Sequence, residues 1–147
     1  MKNCIEIFKK NDKAKIPQKA TACSAGWDLF ACLDHELTLF SGDTFLVPTG
    51  VAAALPSSDY VGLIFARSGL GAKFGVSLPN GVGVIDSDYR GEIFVSLKNF
   101  GKNNYVISPG DRIAQLVVLP ICNFPLVEVS SLSNTERGES GFGSTGK

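Results

Sequence analysis

The chain has one histidine, His35, and its four cysteines lack the short spacing of a zinc knuckle. One histidine and no close pair of soft ligands disfavour a structural zinc site, so we expect four free thiols. The same scarcity disfavours a Ser-His-Asp or Cys-His device. If the protein is an enzyme, its general base is therefore predicted to be a carboxylate.

The chain also lacks an excess of either charge, with 14 basic and 14 acidic residues. Without a global field, neither nucleic acid nor membrane is expected as a partner. No apolar run reaches the roughly 20 residues of a membrane span. Because the N-terminus has no signal-peptide core, we expect a cytoplasmic protein, with the nucleus as the alternative in a eukaryote.

Sustained helical periodicity is absent, while 16 glycines and 7 prolines are spread along the 147 residues. Short apolar segments separated by turn residues predict one all-β domain, a sandwich or barrel. We expect one helix of at most two turns, at residues 68–74. Residues 41–43 are predicted to turn a hairpin between strands at 37–39 and 45–47. Further strands are expected at 4–8, 51–55, 60–66, 84–85, 93–98 and 113–119.

Composition changes near Ser130, after which apolar residues almost vanish. Such a segment cannot bury enough surface to order itself, so we divide the chain into a domain at 1–130 and a flexible arm at 131–147. The arm is either a frayed tail or a segment that orders over a ligand. Its glycine-rich end supplies backbone N–H groups that can cradle phosphate, Arg137 supplies a bidentate charge, and Phe142 is free to stack on a planar base.

The most informative carboxylate is Asp86, which follows the apolar pair Val84 and Ile85 between glycine-bearing bends. We expect that pair to form a short buried strand and Asp86 to be held rigidly and partly desolvated at its end. A carboxylate in such a place can act as a general base that activates water. The alternative is a strand that ends in an ordinary Asp-Ser-Asp turn.

A second candidate site lies at Arg67-Ser68-Gly69, where a strand gives way to the predicted helix. The Ser68 hydroxyl and the Gly69 N–H there are donors suited to an anion. Arg67 either joins that site or is neutralised by a structural carboxylate such as Asp111. Gln115 is an amide within an otherwise apolar strand, and it needs polar partners that are structural or belong to a ligand.

Five segments, taken in chain order, resemble the motifs of the trimeric dUTP pyrophosphatases, or dUTPases. They are residues 25–29 (Ala-Gly-Trp-Asp-Leu), 67–70 (Arg-Ser-Gly-Leu), 80–91 (Asn-Gly-Val-Gly-Val-Ile-Asp-Ser-Asp-Tyr-Arg-Gly), 110–116 (Gly-Asp-Arg-Ile-Ala-Gln-Leu) and 137–146 (Arg-Gly-Glu-Ser-Gly-Phe-Gly-Ser-Thr-Gly). The resemblance implies a β jelly roll that forms homotrimers with active sites between subunits. It also implies Mg2+-dependent hydrolysis of dUTP to dUMP and pyrophosphate, which keeps uracil out of DNA and supplies dUMP for thymidylate synthesis.

The resemblance further assigns roles to individual residues. Asp86 would activate the attacking water, Asn80 would read uracil with the backbone from Gly81 to Val84, and Tyr89 would support the deoxyribose. The phosphates would be bound by Arg67, Ser68, Gly69 and Gln115, and the water shell of Mg2+ would be oriented by Asp28 and Gln115. Phe142 would stack on uracil. The terminal phosphates would be bound by Arg137, Gly143, Ser144 and Thr145.

Two residues depart from the family pattern. Ala66 stands where proline is usual before Arg67, and Trp27 stands where tyrosine is common. Neither change removes a functional group. Two other functions stay open at this point, a dCTP deaminase on the same fold and a nucleotide-binding trimer without catalytic activity.

Overall fold

Alternating apolar and polar residues give the chain eleven short strands and one helix within residues 4–139, the part that this computed structural model describes. The strands are β1 Glu6–Lys9, β2 Trp27–Phe30, β3 Leu37–Leu39, β4 Thr44–Pro48, β5 Val51–Ala54, β6 Tyr60–Ala66, β7 Val76–Ser77, β8 Gly83–Ile85, β9 Phe94–Asn99, β10 Tyr105–Ile107 and β11 Arg112–Pro120; the helix is α1 Ser68–Phe74. The predicted bounds of β6 and α1 are confirmed.

Every pairing among these strands is antiparallel, and they form four sheets. The largest has the order β2-β11-β6-β8, and a second has the order β4-β9-β7. The other two are the pairs β1-β5 and β10-β3. β11 pairs with β2 near its start and with β6 from Ala114 to Pro120, so it has a neighbour on each side only from Ala114 to Leu116.

The core is shared by the two larger sheets, and the alternation along β9 shows how it forms. Val95 and Leu97 are buried with Ile93 just before them, while Phe94 between them is exposed. This is the alternating pattern predicted for residues 93–98. Leu29 from β2 and Leu116 from β11 are buried in the same cluster, which joins the large sheet to the β9 sheet.

The predicted hairpin between residues 37–39 and 45–47 is wrong. β3 pairs with β10, and β4 pairs with β9, so the two strands belong to different sheets. The turn itself forms, since the Asp43 N–H donates to the Phe40 carbonyl over 3.0 Å. Its tip is bonded to the end of β9, because the Gly42 N–H donates to the Asn99 carbonyl over 2.8 Å. The turn therefore directs the chain away from β3.

Asn99 is fully buried and bonds three separate backbone segments. Its Nδ2 donates to the Leu39 carbonyl over 2.9 Å and to the Asn103 carbonyl over 2.8 Å. Its Oδ1 accepts the Gly101 N–H at 2.9 Å. One amide thus ties the end of β9 to β3 and to the loop that precedes β10.

Residues 121–139 contain no strand or helix and are exposed throughout. Phe124, Leu126 and Leu132 have exposed fractions of 81%, 102% and 86%. The proposed boundary between domain and arm at 130/131 stays a prediction. Within residues 4–139, no helix is long and apolar enough to cross a membrane.

We expect Asn99→Ala to lower the free energy of unfolding by about 3 kcal/mol, because two carbonyls and one N–H lose buried partners. Asn104→Ala is the control, because Asn104 is exposed and its loss should cost less than about 0.5 kcal/mol. Urea unfolding at one fixed protein concentration measures both variants. Equal midpoints for the two would show that the Asn99 bonds do not stabilise the fold.

Candidate active site

A buried carboxylate between two arginines lies at one end of the large sheet. Asp28, in β2, is only 6% exposed. Arg67 Nε lies 3.2 Å from its Oδ1, and Arg112 Nη1 lies 3.3 Å from its Oδ2. Each oxygen of the carboxylate therefore contacts one guanidinium, and the cluster carries one net positive charge facing the end of β6.

Register explains why these residues meet. β11 pairs with β2 so that Gln115 lies opposite Asp28, and it pairs with β6 so that Ala114 lies opposite Ala66. Arg67 directly follows Ala66, which brings its side chain to the same end of the sheet. The structure thus places Asp28, Arg67 and Gln115 at the same end of the sheet.

The suggested pairing of Arg67 with Asp111 is wrong. The Asp111 carboxylate accepts the Ser108 N–H at 2.8 Å inside the turn before β11, whereas Arg67 bonds to Asp28. The Arg67 Nη1 also donates to the Arg112 carbonyl over 3.3 Å.

The pKa of Tyr105 is raised, first by burial and then by the charge of Asp111, while Arg67 acts in the opposite direction. This phenol therefore stays protonated at neutral pH.

Ser68 and Gly69 are exposed at the first turn of α1. Arg67 is the N-cap and makes no side-chain capping bond, while its carbonyl accepts the N–H groups of Leu70 and Gly71 at 3.1 Å each. The N–H groups of Ser68 and Gly69 have no acceptor among residues 4–139, as is usual in a first helical turn. A Cβ built on Gly69 would have no atom of another element within 4 Å among the described residues.

The turn before β8 holds Asn80. Gly81 has a φ of 72°, a conformation that favours glycine, and its N–H donates to the Leu78 carbonyl over 3.2 Å. The Asn80 Nδ2 donates to the Val82 carbonyl over 3.1 Å, while its Oδ1 has no partner within the described residues. The amide is therefore oriented by its own turn and exposed to solvent.

The expectation that Val84 and Ile85 form a buried strand is only half correct. Val84 is 62% exposed, whereas Ile85 is partly buried and packs against the core. β8 is the outermost strand of the large sheet, with β6 on one side only. Within residues 4–139, nothing covers most of the Val84 side chain on the outer face of this strand.

Asp86 is exposed, so the expected partial desolvation is wrong for the single chain. Its rigid setting is nevertheless present. The Tyr89 N–H donates to the Asp86 carbonyl over 3.1 Å, and Arg90 Nη1 donates to the Ser87 and Tyr89 carbonyls over 2.8 and 2.9 Å. Asp86 and Tyr89 are thus the two ends of one cross-linked turn.

One chain does not bring Asp86 to the arginine cluster. Ile85 lies opposite Gly62 near the start of β6, whereas Arg67 follows the end of that strand. The five steps from Gly62 to Arg67 span about 17 Å at roughly 3.3 Å per residue. The Asp86 turn and the arginine cluster therefore form two groups toward opposite ends of β6, while Asn80 precedes Gly83, which lies opposite Ile64.

Some predicted site residues lie outside the described part of the chain, and some contacts near the site were not predicted from the sequence. Phe142, Gly143, Ser144 and Thr145 lie outside the described residues, and Arg137 lies in the exposed segment after β11. Sequence reasoning gave no role to Arg112 or to Glu92, whose Oε1 accepts the Gly50 N–H at 2.7 Å. An arginine at the start of the apolar strand β11 was the one available signal for Arg112, and nothing local indicated the Glu92 contact.

Within residues 4–139 no three His, Cys, Asp or Glu side chains are grouped as metal ligands.

A sequence profile of the dUTPase family matches residues 12–146. The chain belongs to the dUTPase family. A deoxyuridine 5'-triphosphate nucleotidohydrolase from Burkholderia multivorans is 48% identical over 147 residues, covering 100% of this chain and 99% of the relative. Another, from Desulfitobacterium hafniense, is 51% identical over 142 residues, with coverage of 97% and 94%. The family predicted from the five motifs is therefore confirmed.

Solved dUTPase structures extend the comparison to the fold. The dUTPase of Staphylococcus bacteriophage 80alpha, solved with dUPNHPP, aligns with a TM-score of 0.88 at 29% identity and covers 99% of this chain and 100% of its own. A mutant dUTPase of phage phi11 of S. aureus, which shows the coordination of a structural Mg(II) ion, aligns at 0.79 and 26% identity, with coverage of 88% and 98%. The predicted all-β, jelly-roll-like fold of the dUTPase family is confirmed; trimeric assembly stays a prediction.

We expect Asp28→Asn to lower the free energy of unfolding by about 2 kcal/mol, because two guanidinium groups would face a neutral amide. The loss stays below that of a fully buried pair because Arg67 and Arg112 are 25% and 50% exposed. Urea unfolding provides the measurement.

Asp34→Asn is the matched control for that variant. Its partner Lys13 lowers the pKa of Asp34 and has its own pKa raised in turn, but both side chains are about 70% exposed, at 68% for Lys13 and 70% for Asp34. Solvent screens such a pair, so we expect no measurable change in stability. An equal loss in both variants would mean that burial of Asp28 adds nothing.

Proposed function

We propose that this chain hydrolyses dUTP to dUMP and pyrophosphate. The coarse class, dUTP diphosphatase, follows from family membership. The observation that carries the mechanism is Asp86, an exposed carboxylate at one end of a cross-linked turn. Asp86 takes a proton from water, the water oxygen bonds to the α-phosphorus, and the bond to the bridging oxygen breaks to release pyrophosphate.

The active site is shared between subunits of a homotrimer. Two groups of candidate residues lie about 17 Å apart along β6, which is too far for one carboxylate to act on a phosphate bound beside Arg67. The exposed outer face of β8 and the exposed Asp86 offer a surface that a second subunit can cover. Covering it would supply the desolvation that the single chain does not provide.

At the nucleoside end, Asn80 and Tyr89 select the substrate. The unpartnered Oδ1 of Asn80 and the backbone from Gly81 to Val84 offer the donors and acceptors that match uracil. Cytosine would leave donors facing donors, which is costly in a site built from hydrogen bonds. The Tyr89 ring forms a wall against the deoxyribose that leaves no room for a 2′-hydroxyl.

At the phosphate end, the cluster around Asp28 supplies positive charge and donors. Ser68 and Gly69 offer free N–H groups, Arg67 is oriented by Asp28, and Gln115 lies opposite Asp28 on the neighbouring strand. The oxygens of Asp28 and Gln115 would accept hydrogen bonds from water bound to Mg2+ and so orient that water. The ion, when bound, would supply positive charge against the triphosphate.

The C-terminal arm completes the site. Its role is argued from composition, since glycines and hydroxyls near Phe142 are suited to a nucleoside triphosphate. Phe142 stacks on uracil, and the terminal phosphates are bound by Arg137, Gly143, Ser144 and Thr145. Closure of such an arm excludes bulk water around the reacting phosphorus.

Asp86→Asn should lower kcat for pyrophosphate release from dUTP by about a thousandfold, because the amide cannot accept the proton from water. Affinity for the imido analogue dUPNHPP should be retained. Asp88→Asn is the control, since Asp88 is an exposed carboxylate on the same turn and should keep full turnover.

Assays should include dCTP, dTTP and UTP with and without Mg2+. Undiminished turnover by Asp86→Asn would remove this carboxylate from the mechanism, and ammonia release from dCTP would indicate a deaminase instead.

Mixing two inactive variants tests the shared site. Asp86→Asn and Arg67→Ala chains, unfolded and refolded together, should regain up to about a quarter of wild-type activity, because random trimers combine intact halves from two subunits at that frequency. Each variant refolded alone is the control. Activity of the mixture that equals the sum of the two controls would place both residues in a site within one chain.

A further inference from the structure

The ring of Tyr89 is held at two points of its own turn. Its Oη donates to the Glu92 carbonyl over 2.9 Å. The ring also lies directly over Gly91, where a Cβ would overlap the phenol oxygen and the adjoining ring carbons. The ring can therefore occupy this place only because residue 91 has no side chain, and its position depends on the direction of the Glu92 carbonyl.

Glu92 is in turn bonded to the buried bend between β4 and β5. Its Oε1 accepts the N–H of buried Gly50 at 2.7 Å. The next residue, Ile93, donates its N–H to the Val51 carbonyl over 2.8 Å and accepts the hydroxyl of buried Thr49 at 2.5 Å. The bend itself is fixed, because Gly50 has a φ of 69° and contacts Ala14 and Cys32 too closely to admit a Cβ.

These contacts form one chain from the core to the ring. The bend fixes the Glu92 side chain, the side chain and Ile93 fix the Glu92 backbone, and the backbone carbonyl holds the phenol. Tyr89 is 42% exposed, and within residues 4–139 its hydroxyl makes no hydrogen bond other than that to the Glu92 carbonyl. Without the Glu92 carboxylate, the Gly50 N–H would be a buried donor without an acceptor in the described chain.

We propose that Glu92 is a positioning residue that holds the Tyr89 ring and thereby sets the selection against ribonucleotides. The inference rests on the proposed function, in which this ring excludes a 2′-hydroxyl. A wall that excludes one oxygen atom must stay within about 1 Å of its place, and misplacement on that scale is known to alter rates strongly. Glu92 itself touches no substrate and takes no part in proton transfer.

The test compares Glu92→Ala with Glu92→Gln, which keeps an acceptor oxygen for the Gly50 N–H. We expect Glu92→Ala to lower the ratio of kcat/KM for dUTP to that for UTP by about tenfold, as one hydrogen bond of ordinary strength would. Glu92→Gln should keep the wild-type ratio. The change should lie mainly in the KM for UTP, because the ring acts on sugar binding and not on the attacking water.

A double-mutant cycle separates positioning from a merely structural role. In a Tyr89→Ala background, Glu92→Ala should leave the dUTP-to-UTP ratio unchanged, because no ring remains to be positioned. Gly91→Ala provides a second route that leaves the Gly50 bond intact, and it should relax selection by pushing the ring aside. An unaltered ratio in Glu92→Ala, or the same loss with and without the ring, overturns the proposal.

Ring order can also be read without turnover. The chain has three tyrosines, so 3-fluorotyrosine labelling gives few 19F resonances, which Tyr→Phe variants assign. The Tyr89 resonance should shift or broaden in Glu92→Ala and match wild type in Glu92→Gln; an unchanged resonance in Glu92→Ala overturns the anchoring. Equal turnover of dUTP and UTP by wild type would instead overturn the proposed role of Tyr89, whatever the resonance shows.

Discussion

Antiparallel pairing along β6 is the constraint on which the rest of the structure depends. This strand pairs with β11 on one side and with β8 on the other. Its end places Arg67 beside Asp28, while its start lies opposite Ile85, the residue before Asp86. A shift of one residue in either register would turn the attached side chains to the other face. The geometry of both candidate groups therefore follows from backbone hydrogen bonds far more than from local side-chain preference.

Two kinds of polar anchoring fix these groups on the sheet. At the arginine cluster, a buried carboxylate is balanced by two guanidinium groups, and its desolvation is tolerable because both oxygens are paired. At the Asp86 turn, Arg90 satisfies backbone carbonyls at the surface, and Glu92 bonds to a buried amide. The first arrangement depends on charge in a poorly solvated place, and the second depends on geometry.

The exposed surface of the single chain is consistent with a site completed by other subunits. Val84 on the edge strand and Tyr89 on the turn are apolar or aromatic, yet neither is covered by residues 4–139. A base that is exposed in one chain and needed in a water-poor site requires a cover from elsewhere. In the shared site that we propose, catalysis is conditional on assembly, because neither group of residues is sufficient alone.

The sequence by itself determined the all-β class, the bounds of β6 and α1, the five family motifs and the identity of the candidate base. These features are local, since strand alternation, turn residues and short motifs are written in neighbouring positions. The tertiary structure alone decided that β3 and β4 separate, that Val84 is exposed, and that Arg67 pairs with Asp28 and not with Asp111. It alone joined Glu92 to Gly50, 42 positions apart. Periodicity shows which face of a strand is apolar. The partner of each strand depends instead on the packing of the whole chain, because long-range pairing is stable only when the other layers of the core are in place.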